Sequence, residues 1–162
     1  MATSPTTAAE DLSLSEAVTA YEQRGKPEDV SSLTTFLSAH PHSGWAPALL
    51  TNLGLSYLHD GYFSRAIEAW KKAWAEGTKA TGPEARALVD RAVGELAWLY
   101  AALGQTKNLA ALSAEIGNRP VTGSATEALQ VAREELSQVQ KDPRHLFNCG
   151  PAALSSLMLA RG

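Results

Sequence analysis

Three features that would assign this sequence to a class at once are missing or nearly missing. There is one cysteine, Cys149, so no disulfide can form within the chain. No apolar run approaches the roughly 18 residues that a membrane-spanning helix needs. The start of the chain has neither the basic region nor the apolar stretch of a secretory signal. These absences favour a protein without a membrane partner, and by default we expect it to be cytoplasmic.

Clustered positive charge is missing as well. The formal net charge is −3, with 14 Lys and Arg against 17 Asp and Glu. Because binding to phosphates needs clustered Lys and Arg, this balance argues against a nucleic-acid partner. The four histidines are His40, His42, His59 and His145. His40 and His42 lie two apart in a loop, without a cysteine or acidic ligand at zinc-site spacing, so we expect no metal and no other cofactor.

Alanine and leucine are abundant and β-branched residues are scattered, which favours helices over strands. Residues 1–12 are predicted to be a disordered leader. Ser13 and Glu16 have the spacing of a capping box, so the first helix is expected to begin beside them. Helical periodicity and Gly/Pro punctuation together predict seven helices: 14–24, 27–39, 44–59, 62–77, 83–103, 106–116 and 125–139.

Residues 47–80 carry the strongest pattern. Apolar and small residues recur at helical spacing on two segments, and Asp60-Gly61 separates them. Gly54 is small enough to let the second helix approach closely, and Trp70 is large enough to fill the space around the contact. We therefore predict a helical hairpin whose core pairs small residues with large ones.

This pattern resembles the tetratricopeptide repeat, a helical hairpin of about 34 residues. The positions that match in order and spacing are Leu50, Leu53, Gly54, Tyr57, Gly61, Ala66, Trp70 and Ala73. Thr78 stands where the family usually has proline. The resemblance implies an all-α fold over residues 13–140, with antiparallel helical hairpins stacked as a short right-handed solenoid.

In that family the first helix of each hairpin lines a concave surface that binds a peptide or a partner domain. The resemblance therefore implies a non-catalytic interaction or scaffold module with a protein or peptide partner. The groove-facing candidates are the residues that lie off the packing stripe of these helices: Thr51, Asn52, Leu55, His59, Arg91, Glu95 and Trp98. For Trp98 and Leu55 an alternative stays open, in which their side chains pack beneath the N-terminal hairpin or the C-terminal tail.

Residues 141–162 are predicted to form a tail with a C-terminal helix. Its segment NCGPAAL resembles the region around the nucleophile of papain-like cysteine peptidases that cut bacteriocin leaders after a double glycine. The resemblance would make Cys149, at a helix N-terminus, the candidate nucleophile. Pro143 stands where those enzymes have their oxyanion-hole glutamine, and their downstream His and Asp have no counterpart. We therefore predict no enzyme and no catalytic residue in this chain.

Two alternatives stay open for the tail. The chain could be the N-terminal portion of a larger protein with a papain-like domain that starts near Cys149. The apolar pattern of residues 152–160 also suggests a helix that buries itself in the concave groove or against another copy, which would give self-association through the tail.

The two interpretations of Cys149 predict different reactivity. A nucleophilic cysteine at a helix N-terminus alkylates rapidly at neutral pH, whereas a cysteine that packs as a small apolar residue alkylates slowly. We expect slow alkylation by iodoacetamide in the native protein relative to a free-thiol standard, with the unfolded protein as control. Alkylation faster than the standard would favour the peptidase-like alternative.

Overall fold

A computed structural model describes residues 1–78, 80 and 82–142. Within these residues all regular secondary structure is helical and no strand occurs, which confirms the prediction of an all-α protein. Over the same residues, no helix combines the length and apolar character that are needed to cross a membrane. The helices are α1 Ala8–Glu22, α2 Ser31–Ala39, α3 Ala46–His59, α4 Phe63–Gly77, α5 Pro83–Ala102, α6 Thr106–Ile116 and α7 Ser124–Lys141.

The five helices from α3 to α7 begin and end within two residues of their predicted bounds. Glycine and proline explain this agreement. Gly61, Gly104 and Gly117 follow α3, α5 and α6 with φ of 78°, 64° and 55°, a left-handed conformation that glycine adopts without strain. Pro83 is the first residue of α5, where its missing N–H costs nothing.

The N-terminal helix corrects two predictions. It begins at Ala8, inside the segment 1–12 that was predicted to be a disordered leader. Thr7 is its N-cap: the Thr7 Oγ1 accepts from the Glu10 amide at 3.2 Å, and the Glu10 carboxylate accepts from the Thr7 amide at 3.0 Å. The capping box predicted within residues 13–16 is wrong, because those residues lie inside the helix. Thr7 with Glu10 and Ser13 with Glu16 both fit the capping-box pattern, and the pair nearer the N-terminus forms the cap.

The start of α2 is a smaller correction. The prediction began this helix at Pro27, whereas the structure begins it at Ser31. The Arg24 guanidinium donates to the Pro27 carbonyl oxygen at 2.9 Å, and the Asp29 carboxylate accepts from the Ser31 amide at 3.0 Å. These side-chain bonds hold a turn ahead of the helix, because they satisfy backbone groups that a longer helix would use.

One tight contact joins α3 and α4 into a hairpin. Gly54 lies directly against the fully buried indole of Trp70, and a Cβ at this position would collide with the ring. The Trp70 Nε1–H donates to the backbone oxygen of Thr51 at 3.1 Å, so the buried indole keeps a hydrogen-bond partner. This is the small-on-large packing that the sequence pattern predicts.

Helix α5 is the central element of the core. It contacts α3, α4, α6 and α7, and its contacts with α7 and α4 are the most extensive. Its buried face is formed by Val89, Ala92, Val93, Leu96 and Leu99. At Gly94 a Cβ would lie 2.8 Å from the Ala125 Cα, so the backbones of α5 and α7 approach closely there.

The α1–α2 hairpin is tied to the rest of the molecule by polar contacts near the start of α3. The Thr3 backbone N–H donates to the Gly44 carbonyl oxygen at 2.7 Å, and the Thr3 hydroxyl donates to the same oxygen at 3.1 Å. The Trp45 Nε1–H donates to the Asp11 carboxylate at 2.7 Å. The N-terminal segment is therefore anchored across the junction between α2 and α3.

The Gly54 contact predicts a large loss of stability on substitution. Gly54→Leu should destabilise the protein by about 1–3 kcal/mol or more, because the side chain must displace the buried Trp70 ring. Urea unfolding followed by circular dichroism measures this loss. A second variant, Gly54→Ala, should also be destabilised, because even a Cβ at this position collides with the Trp70 ring. Gly25→Ala is its matched control, since a Cβ at Gly25 would meet no atom within 4 Å. Equal unfolding midpoints for the two alanine variants would contradict the assignment.

Candidate functional site

A shallow groove of about 250 Å³ lies where the C-terminal part of α3, the middle of α5 and the start of α7 meet. We call it the Trp98 groove. It is lined by Leu58, Arg91, Glu95, Trp98, Ser124, Ala125 and Ala128. The groove brings together the three groove-facing residues that were predicted on α5.

Helical spacing explains why the α5 residues share this surface. Arg91, Glu95 and Trp98 lie at i, i+4 and i+7, which places them on one stripe of the helix. The close approach at Gly94 brings the first turn of α7 beside the stripe. Because Ala125 and Ala128 are small, α7 forms a low wall and leaves the Trp98 ring accessible.

The side chains of the stripe offer three kinds of contact. The Arg91 Nε lies 3.9 Å from the Glu95 Oε1, and both side chains are partly open to solvent. Trp98 is 42% exposed, which is high for so large a ring. The groove thus presents a guanidinium, a carboxylate and an aromatic face within two turns of one helix.

Thr51 is a correction to the predicted site. It is fully buried, and its hydroxyl donates to the Pro47 carbonyl oxygen at 2.7 Å. Its own carbonyl oxygen accepts from Trp70, so this part of α3 faces α4 rather than a partner. The prediction placed Thr51 on the wrong side of the helix.

The other α3 candidates are accessible to different degrees but do not line the Trp98 groove. Asn52 is exposed, and its amide donates to the Ala48 carbonyl oxygen at 3.1 Å. Leu55 is half-buried against the core. The exposed His59 has its Nδ1 3.2 Å from an Asp60 carboxylate oxygen. The contribution of α3 to the groove is instead Leu58, which the sequence interpretation missed.

The α7 wall was also missed. Ser124, Ala125 and Ala128 belong to a helix predicted only as a cap on the stack, and the contact with α5 joins residues about thirty positions apart. Gly94 was the available signal, because an isolated glycine inside a helical pattern often marks close packing. Ala125 supplies the small partner for that contact.

A buried carboxylate holds the groove wall in place. Asp90 on α5 is 1% exposed, and it accepts from the Arg119 Nη2 at 2.9 Å and from the Thr122 amide and hydroxyl, both at 3.1 Å. The Arg119 guanidinium lies over the Trp74 ring, 4.7 Å from its centroid. These contacts fix loop 117–123 and thereby the point at which α7 begins.

Other kinds of site were sought among the same side chains. In the described ranges, no group of three or more His, Cys, Asp or Glu residues is arranged to hold a metal ion. The C-terminal residues 143–162, with Cys149 and the predicted tail helix, lie outside the described residues. The predictions on that segment remain predictions.

No protein-family model, no curated protein and no solved structure matches this chain. The two resemblances noted in the sequence therefore remain hypotheses, and the chemistry of the Trp98 groove has to be argued from its geometry.

The Asp90 contacts predict an unequal pair of substitutions. Asp90→Asn should cost about 1–3 kcal/mol, since it weakens the hydrogen bonds of one buried group. Arg119→Met should cost about 3–5 kcal/mol, because it leaves the Asp90 carboxylate buried without its cation. Urea unfolding measures both costs.

Lys107→Met, which removes an exposed cation on α6, is the control and should change stability by less than about 0.5 kcal/mol. Equal costs for the Asp90 and Arg119 variants would show that the carboxylate is not held by this cation.

Proposed function

We propose that this protein is a non-catalytic interaction module that binds a peptide or a partner helix in the Trp98 groove. The hairpins would stack in the manner of tetratricopeptide repeats, each burying its apolar face against its neighbours and leaving one surface open. The observation that carries the proposal is the 42% exposure of Trp98 in a groove that also contains Arg91 and Glu95.

The energetics of this aromatic ring support a binding role. Covering the exposed part of Trp98 removes about 100 Å² of mainly apolar surface from water, which is worth about 2–3 kcal/mol. Trp and Arg are also the residues most enriched at the energetic centres of protein interfaces. A single ligand side chain that packs on Trp98 would gain most of this energy.

The charges beside the ring support a peptide-like ligand. Arg91 and Glu95 lie close enough to offset each other, so the groove has little net charge of its own. A peptide backbone supplies both donors and acceptors, and it can therefore satisfy a guanidinium and a carboxylate in one pose. The rigid position of both residues on α5 keeps the entropic cost of such a complex low.

The test uses a phage-displayed peptide library selected on the full chain. Enriched peptides should bind Trp98→Ala about tenfold more weakly or worse, because the variant removes the ring on which they pack. Fluorescence anisotropy of a labelled peptide measures the affinity.

Leu103→Ala is the matched control, since Leu103 is 40% exposed just after α5 and does not line the groove. Its affinity for the same peptides should stay unchanged, and thermal melting should show both variants folded. Selected peptides that bind Trp98→Ala as tightly as the unmodified chain would refute the proposed site.

A further inference from the structure

A second groove, of about 490 Å³, lies between α2 and the α3–α4 hairpin. We call it the α4 groove. Leu37 on α2 and Leu50 and Tyr57 on α3 contribute half-buried apolar side chains to it. Its α4 side is formed by Ala69 and four charged residues, whereas two charged residues line the Trp98 groove.

These charges form one stripe of alternating sign. Arg65, Glu68, Lys72 and Glu76 lie at i, i+3, i+7 and i+11, and all four are exposed. Their spacing would allow pairing along the helix. None of the ion pairs within 4.0 Å in the described part of the chain joins two of them.

Arg65 and Glu76, at the two ends of the stripe, each contact a residue that is not part of the stripe. The Arg65 guanidinium lies over the Tyr62 ring, 4.9 Å from its centroid. The Glu76 carboxylate lies 3.3 Å from the Nδ1 of the exposed His42. Glu68 and Lys72, in the middle of the stripe, present opposite charges to the groove.

The signs of the charges along the stripe are plus, minus, plus and minus, so an antiparallel copy of the stripe presents the opposite sign at each position. When two copies of α4 are placed antiparallel, Arg65 faces Glu76 of the second copy and Glu68 faces Lys72 of the second copy. One two-fold axis at the midpoint of the stripe generates both pairs twice. A parallel arrangement would instead place each charge opposite its own kind, so the stripe selects one orientation.

We propose that the α4 groove binds the α4 helix of a second copy of this chain, in an antiparallel, two-fold symmetric dimer. Each exposed ion pair contributes little to the free energy of association, so the role of these pairs is to fix the orientation and register of the two α4 helices. The apolar area comes from Leu37, Leu50 and Tyr57, which the second copy covers further. This interface is separate from the Trp98 groove, which stays open in the dimer.

Charge reversal tests the pairing directly. Arg65→Glu places a carboxylate opposite the Glu76 carboxylate of the second copy, and Glu76→Arg places a cation opposite the Arg65 cation of the second copy, so neither variant should self-associate as the unmodified chain does. Each should dimerise about tenfold more weakly or worse in sedimentation equilibrium. The two substitutions put an acid near the helix N-terminus and a base near its C-terminus, which favours the helix itself.

Mixing is the decisive measurement. In an equimolar mixture of the two variants every cross-copy pair is again between opposite charges, so the heterodimer should form more tightly than either homodimer. The double variant Arg65→Glu/Glu76→Arg should dimerise like the unmodified chain. Lys107→Glu, an exposed change of the same charge on α6, is the control and should leave dimerisation unchanged.

The salt dependence of dimerisation is a second test of the charge pairing. Dimerisation should weaken between about 0.1 M and about 1 M salt, over which the Debye length falls from about 10 Å to about 3 Å. An unmodified chain that stays monomeric at all concentrations would overturn the proposal. So would single variants that both homodimerise as tightly as the unmodified chain, or a mixture that associates no more tightly than each variant alone. None of these outcomes bears on peptide binding at Trp98.

Discussion

Close packing of neighbouring helices at glycine positions is the constraint on which this structure depends. It occurs at glycines that lie against a side chain or backbone of the next helix: Gly54 against Trp70, Gly77 against Val89, and Gly94 against Ala125. Each contact joins a different pair of neighbours, from α3 through α4 and α5 to α7. Because any Cβ at these positions would clash, the spacing of the helices is set by residues that have no side chain.

The Trp98 groove follows from the last of these contacts. Gly94 draws the first turn of α7 against α5, and the small residues of that turn leave room above the helix. Asp90 then fixes the loop that leads into α7 through a buried, fully hydrogen-bonded carboxylate. For the ligand proposed above, an exposed Trp98 on this support would be in position before binding, which would lower the cost of forming the complex.

Local signals in the sequence predict most of the helices, because Gly and Pro mark helix ends through their own backbone conformations, whatever the rest of the fold. They fail where two signals compete, as Thr7 with Glu10 and Ser13 with Glu16 both fit a cap. The prediction for Thr51 fails because helical periodicity defines a face but not the neighbour that covers it. The α7 wall could not be predicted from periodicity, since it depends on a contact between distant segments.

The attachment of the α1–α2 hairpin has a consequence for motion. The main apolar cluster of the described residues contains no side chain from α1 or α2, and polar bonds from Thr3 and Trp45 span the junction. The helices of this hairpin bury two apolar side chains, Leu33 and Phe36 on α2. A unit with so few buried apolar residues opens at a lower free energy than the core. The width of the α4 groove, whose outer wall is α2, would vary with that equilibrium.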